Sequence, residues 1–326
     1  MDKINLTLLF ASVIAGATPI VLATLGETIT EKAGLINLSL DGSILLSAMT
    51  AFAVAYETQS VGIGFVAGAV VGAIVAEVVA FFSTYLRQPQ VAVGFVLTLM
   101  TKDIAYFLGN QYSRIPGPQI SSYHIPILKD IPFIGEIFFQ HNCLVYISLI
   151  LIGIYWWYIY KTPLGLKLRA VGEEPKASYS RGINPHKVQM FYAICGGMLV
   201  GLAGATFSLF TKPGWGHPQG AEGTGWIALA LVIFGRWNPV KAAFGAYLFA
   251  FLQVMSIYFQ GWLPTVPAQV FQVAPFPIMI FTLVLIHIAH KDSVLRGVEN
   301  KSWIKKILLG FSDAAPSALG KPFVKD

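Results

Sequence analysis

Residues 6–42 read LTLLFASVIAGATPIVLATLGETITEKAGLINLSLDG. The stretch opens on an apolar run at 6–25. A helix rising about 1.5 Å per residue crosses the hydrocarbon layer in about 20 residues. Three carboxylates (Glu27, Glu31 and Asp41) and the amide of Asn37 follow at once, close to or inside membrane depth. A charge there is costly and normally faces a partner or a watery cavity. Glu27 and Glu31 stand four apart on one helical face, where like charges repel unless Lys32 or another cation offsets them. Two readings fit: a broken helix that lines a path through the membrane, and a polar turn between two spans. Lys3 ahead of the run has the look of a signal peptide, but the run exceeds the roughly 7–15 apolar residues of a cleaved segment. It reads as a retained first span.

The rest of the chain repeats this pattern. Hydrophobic residues make up 55% and charged residues 12%, with a mean hydropathy of +0.65. Soluble domains carry about 25% charged residues, so this chain cannot hide its apolar side chains in a water-soluble core. Further apolar runs lie at 38–55, 61–86, 91–108, 143–160, 188–209, 242–259 and 270–290. A shorter run at 226–234 covers about half the membrane thickness. The expectation is an all-α polytopic membrane protein, a helical bundle of about eight or nine spans. Gly68 with Gly72, and Gly197 with Gly201, have the small-residue spacing that lets helix backbones approach in lipid. Glu77, Lys102 and Asp103 fall inside apolar runs and are expected to pair across spans.

Several chemistries are excluded. Two cysteines, Cys143 and Cys195, cannot make a disulfide scaffold. His287 and His290 close an apolar run without a third ligand, so no metal is expected, and no cofactor either. No G-x-x-x-x-G-K-[ST] occurs, so the chain does not bind ATP through a P-loop. No clustered nucleophile and base is visible, and an enzyme is not expected.

The net charge of +6 follows the membrane rather than nucleic acid, because the basic residues sit between apolar runs. Segment 161–187 holds six Lys or Arg, among them Arg169, Lys176 and Arg181, against Glu173 and Glu174. The tail after His290 is also basic. Segment 109–142 has only Arg114 and Lys129, balanced by Asp130 and Glu136. By the positive-inside bias, 161–187 and the C-terminal tail are cytoplasmic and 109–142 faces outside. The organisation expected is a transmembrane domain at 1–290 and a cytoplasmic tail at 291–326. In that tail Trp303, Ile304, Ile307, Leu308 and Phe311 form either a short interfacial helix or a frayed segment.

Two more segments carry information. In PLGLKLRAVGEEPKASYSRGINPHK (163–187), Pro175 suits the first position of a helix with Glu173 and Glu174 at its positive end. Gly182 suits the left-handed stop and Pro185 prevents continuation. The spacing predicts one short helix of about two turns made of Pro175, Lys176, Ala177, Ser178, Tyr179, Ser180 and Arg181. A short rigid helix on such a loop is a docking element. In GTGWIALALVIFGRWNPVKAA (223–243), glycines surround the short apolar run, and Gly235, Arg236, Trp237, Asn238 and Pro239 form a turn. This suits a gate, or a tight turn anchored by Trp237.

These three segments together resemble the permease subunits of the nucleoside and simple-sugar ABC importers, a family within the larger group that also moves ribose and branched-chain amino acids. LGETITEKAGLINLSLDG resembles the family's N-terminal signature, GLKLRAVGEEPKASYSRGIN its coupling segment, and GTGWIALALVIFGRWNPVKAAFGAYLF its third block. The blocks run in order from about Pro19 to Phe249. Ser39 stands where the family often has glycine, and Asp41 where it often has glutamate. The resemblance implies the type II-like importer permease fold and a subunit of the cell membrane that encloses a path for nucleosides or simple sugars, with branched-chain amino acids a third choice. It implies that Glu27, Glu31, Asn37 and Asp41 line or brace that path, and that 175–181 is the coupling helix. Implied partners are ABC ATPase subunits that hydrolyse ATP, a second permease subunit expected to be a different chain, and a substrate-binding lipoprotein or periplasmic binding protein. The alternative class is a secondary transporter or channel working without an ATPase, which would have no need of the capped cytoplasmic helix.

The charge asymmetry has a direct test. In a background without native cysteines, Lys176→Cys and Lys305→Cys should be shielded from impermeant thiol reagents in intact cells, and Ser121→Cys should react. Labelling of position 176 from outside overturns the orientation.

Overall fold

The computed structural model describes residues 6–121, 134–263, 265–267, single positions between 270 and 284, and 314–323. Among the described residues every regular element is helical. The α-helices are α1 (Leu6–Lys32), α2 (Leu40–Thr58), α3 (Val61–Thr84), α4 (Gln90–Gly109), α5 (Ile134–Phe138), α6 (Cys143–Lys161), α7 (Pro163–Glu173), α8 (Pro175–Ser180), α9 (Pro185–Thr206), α10 (Thr224–Phe234) and α11 (Pro239–Trp262). A π-helical turn, Phe207–Thr211, ends α9. Among the described residues six helices are long and apolar enough to cross a membrane: α1, α3, α4, α6, α9 and α11. The sequence suggested eight or nine. The remainder of that count lies in α2, of 19 residues, in α10, of only 11, and in the run 270–290, which falls largely outside the described residues.

Helix α9 sits at the centre, packed against α1, α2 and α3. Its small residues explain the position. A Cβ placed on Gly72 of α3 would lie 2.3 Å from the Gly197 carbonyl oxygen, and one on Gly201 2.2 Å from that of Gly68. The two glycine pairs singled out in the sequence therefore face each other. With no hydrophobic drive between helices in lipid, such backbone contact is the main source of helix association. The first helix is buried over its second half, and Thr18, Thr24, Thr28 and Thr30 satisfy their hydroxyls on carbonyls one turn back. Outer faces carry Val66, Val70 and Ile74 on α3, Phe95 and Leu99 on α4, and Ile150 and Ile154 on α6, all exposed. An apolar exterior over a core that contains carboxylates is the arrangement lipid favours. Glu77 is exposed on this exterior, and Lys102 lies within electrostatic reach of Asp41 on α2.

Two local readings change. Helix α1 does not stop at residue 25: it continues through Glu27 and Glu31 to Lys32, and the break is at 33–39. Segment 163–187 holds two helices rather than one. Thr162 accepts from the Gly165 N–H and Pro163 takes the first position, so α7 starts on the same kind of signal as α8.

The crossing of α3 and α9 should be intolerant of volume. Gly72→Leu is expected to cost about 1–3 kcal/mol or more and to lower the melting temperature of purified protein. Gly62→Leu, at a position with nothing within 4 Å of the new Cβ, should leave it unchanged.

Candidate functional site

The connection between α1 and α2 leaves the helical path inside the bundle, where each backbone polar group needs a partner. The helix end supplies the first. Gly34 adopts φ +92°, its N–H bonds to the Glu31 carbonyl at 2.9 Å, and the Leu35 N–H bonds to that of Thr30 at 3.3 Å. This is a Schellman end, with glycine in the left-handed position. Beyond it, side chains take over. The Ile36 N–H donates to Gln90 Oε1 at 2.8 Å, and the Asn37 N–H donates to Glu27 Oε1 at 2.9 Å. The Ser39 N–H donates to Asn37 Oδ1, while the Leu38 carbonyl accepts from Thr98 Oγ1 at 2.6 Å and that of Ala33 from Gln189 Nε2.

The carboxylates expected to line or brace a path accept hydrogen bonds from within the chain. Glu27, Glu31, Asn37 and Asp41 are all buried, at 0 to 5% exposure. Glu31 accepts a hydrogen bond from the Trp237 indole N–H, which ties the end of α1 to the turn between α10 and α11. That turn is unusual, since Arg236 and Trp237 both lie in the left-handed region, at φ 52° and 57°. For residues with a Cβ this costs roughly 1–2 kcal/mol each. Asn238 then caps α11 by accepting from the Val240 and Lys241 N–H groups, with Pro239 in the first position. Asp41 accepts from the N–H groups of Gly225 and Gly223 at the start of α10. A carboxylate there opposes the positive end of the helix and replaces a cap that Gly223 cannot provide. Glu27 Oε2 lies beside the Glu31 carboxyl, and the two side chains share a hydrogen bond.

At the same end of the bundle, α7 and α8 lie under this connection. A Cβ on Gly172 would stand 2.2 Å from the Lys32 carbonyl oxygen. Helix α8 runs from Pro175 to Ser180 with Arg181 as its cap, and Gly182 has φ +82°. The N–H groups of Gly182 and Ile183 close a second Schellman end on Tyr179 and Ser178. A cavity of about 410 Å³ opens beside it, lined by Leu166, Ala170, Ala177 and Ile183 among others.

The opposite end holds a cluster that the sequence did not reveal. Glu222 accepts from the Tyr106 hydroxyl and from the N–H groups of Gln219 at 2.7 Å and Gly220 at 2.6 Å. The Tyr106 ring stacks on His217 at 4.0 Å and packs near Trp215. A cleft of about 580 Å³ lies alongside, lined by Arg114, Lys212, Trp215 and His217 among others. Position 106 lies on an apolar helix, 116 residues away from Glu222. No local spacing could have joined them. Among the described residues no group of three or more His, Cys, Asp or Glu could hold a metal ion.

Comparison with known proteins bears on this arrangement. Residues 9–283 match the family described as the branched-chain amino acid transport system permease component. The chain belongs to that family. It is 36% identical over 260 residues to the putative glucose ABC transporter permease protein TsgC13 of Haloferax volcanii, covering 78% of each chain. It is 28% identical to the nucleoside ABC transporter permease protein NupC of Lactococcus lactis over 94% of its own length and 99% of that protein. With the guanosine ABC transporter permease protein NupQ of Bacillus subtilis it shares 29% identity, over 79% and 84%. No solved structure matches the chain. The resemblance drawn from the three sequence blocks thus holds at the level of the family, and the protein is a multi-pass membrane permease subunit of an ABC importer.

Glu222 gives this permease a measurable pH dependence. Burial raises its carboxyl, but the hydrogen bonds from Tyr106, Gln219 and Gly220 outweigh that and hold it below its ordinary value of 4.5. Its stabilisation is fully present above that value and is lost as the pH falls through the depressed one. Glu222→Gln should lower the melting temperature at neutral pH, and the gap between variant and wild type should close once acidification has protonated Glu222. An equal gap at all pH values would show that its charge contributes nothing.

Proposed function

We propose that this subunit carries nucleosides across the membrane, in a complex with two ABC ATPase subunits, a second and different permease chain, and a separate binding protein. The observation that supports this most is likeness to the nucleoside permease NupC over nearly the full length of both chains. The likeness to a glucose permease keeps simple sugars as the second substrate class. In this reading the transmembrane domain covers 1–290 with eight or nine crossings, and 161–187 and the tail at 291–326 are cytoplasmic. Helix α8 is the coupling helix, seated in the ATPase, and the binding protein delivers substrate over the end that bears Tyr106 and Glu222.

The mechanism follows from what α8 stands on. ATP-driven closure pushes α8 and α7 together, and Gly172 passes the push to the end of α1 at Lys32. The connection 33–39 moves with it. Glu27, Glu31, Asn37 and Asp41 brace the path rather than face it, and their partners on α10 and α11 carry the displacement to the turn at Gly235, Arg236, Trp237, Asn238 and Pro239, which gates the path.

The test is uptake by the complete complex in proteoliposomes. Labelled guanosine should enter only with ATP, inosine should compete, and glucose should not. Glucose uptake in its place overturns the nucleoside assignment. Ala177→Arg, which adds bulk to the face of α8 that must approach its partner closely, should abolish ATP-driven uptake while the two permeases still pair. Uptake at wild-type rate would remove α8 from the coupling role.

A further inference from the structure

The C-terminal residues 314–323 return to the end of the bundle where α7 and α8 lie, and they form a strap across it. The Ala318 N–H donates to the Gly172 carbonyl at 3.0 Å, and two residues later the Gly320 N–H donates to that of Gly34 at 3.1 Å. The first acceptor belongs to the last turn of α7, where a helix leaves its carbonyls without partners. The second belongs to the left-handed turn that ends α1. One short segment, folded into turns over 316–321, therefore satisfies both ends at once. Its other contacts spread in both directions. Ser317 donates through its N–H at 3.1 Å and its hydroxyl at 2.8 Å to Glu173 Oε2. The Phe323 ring is buried at 5% exposure between Tyr179 of α8, at 5.5 Å, and His186 of α9, at 5.3 Å.

We propose that residues 314–323 are part of the coupling apparatus: the strap holds α8 in register with the turn at Gly34, so that movement of α8 reaches the Glu27–Asn37 contact instead of being lost in a loose loop. This rests on the reading of α8 as the helix that meets the ATPase. The geometry favours it over a merely adhesive tail. A tail that only covered apolar surface would need its ring and no ordered amides. This one spends two amides on the two carbonyls that flank the junction between α7 and α1. Phe323 and Ala318 are positioning residues, since neither reaches the buried carboxylates itself. Without the strap, α8 remains capped by its own proline and glycine and can still meet the ATPase, but its displacement is no longer tied to the turn at Gly34.

The experiment measures substrate transported per ATP hydrolysed by the reconstituted complex. Phe323→Ala removes the ring between Tyr179 and His186. Ala318→Pro removes the amide that bonds to Gly172. Each should leave the ATPase subunits bound and hydrolysing, while transport per ATP falls roughly fivefold; Phe323→Tyr should restore it. Unchanged transport per ATP in both variants overturns the proposal. So does a proportional loss of hydrolysis and transport, the mark of a purely structural role. If one variant fails to assemble, the other decides alone. Ala177→Arg separates the two levels of the argument. If it blocks uptake while the strap variants couple normally, the strap proposal fails and α8 stands. If Ala177→Arg also transports normally, the coupling role of α8 itself has failed.

Discussion

A stretch of backbone between α1 and α2 runs through the interior of the bundle without helical hydrogen bonds, and the rest of the molecule is arranged to satisfy it. Buried backbone groups of this kind need partners. An unpaired buried amide or carbonyl costs about 1–3 kcal/mol, and several lie in a row at 33–39. Their partners come from five places: Glu27 on α1, Gln90 and Thr98 on α4, Gln189 on α9, Asn37 within the segment, and the distant amide of Gly320. Each bond fixes one neighbour of the connection at a definite depth. The carboxylates are explained by the same need. They are strong acceptors placed where backbone donors would otherwise be stranded, and Asp41 does for α10 what Glu27 does for Asn37.

The two ends of the bundle solve different problems. At the end carrying α7 and α8, the elements are short, individually capped and stacked on the buried connection, so a push at the surface has a short rigid route inward. At the other end, Glu222 gathers a loop onto α4 through one hydroxyl and two amides, beside an open cleft. Between them stands α9, whose glycines bring three neighbours to backbone contact. Packing without side chains leaves little to interdigitate. Helices joined this way can slide or rotate over small distances more readily than helices locked by large side chains, which suits a protein whose task requires alternation between arrangements.

How much of this was legible in the sequence depended on whether the signal was local. The proline start at Pro175 and the glycine stop at Gly182 lie within one short stretch, and they foretold α8 to within one residue of its end. The same logic applied to Thr162 and Pro163 would have found α7, and Gly34 would have marked the end of α1, because an Ala-Gly-Leu sequence after a helix is a Schellman pattern. The apolar runs located the long helices but could not decide α2 and α10, one with a carboxylate in its first turn and the other too short to span. The carboxylates were recognised as meaningful, but not which atoms they serve. Their partners come from other helices or from backbone, and spacing along the chain carries no trace of either. Glu222 escaped notice for that reason, as did the strap at 314–323, whose anchors on α1 and α7 are ordinary glycine carbonyls.

The bond between Trp237 and Glu31 joins residues 206 positions apart. Synthesis proceeds at about 5–20 residues per second, so roughly 10–40 s pass between the emergence of Glu31 and that of its indole partner. Glu27 arrives with Glu31, whereas the tryptophan belongs to the last third of the chain. For that interval the foot of the first helix holds an acidic residue without its final donor, at the edge of a forming bilayer protein. The chain is thus laid down with its most demanding helix first and the residue that completes it near the end, which makes the late hairpin of α10 and α11 the step that commits the first helix to its depth.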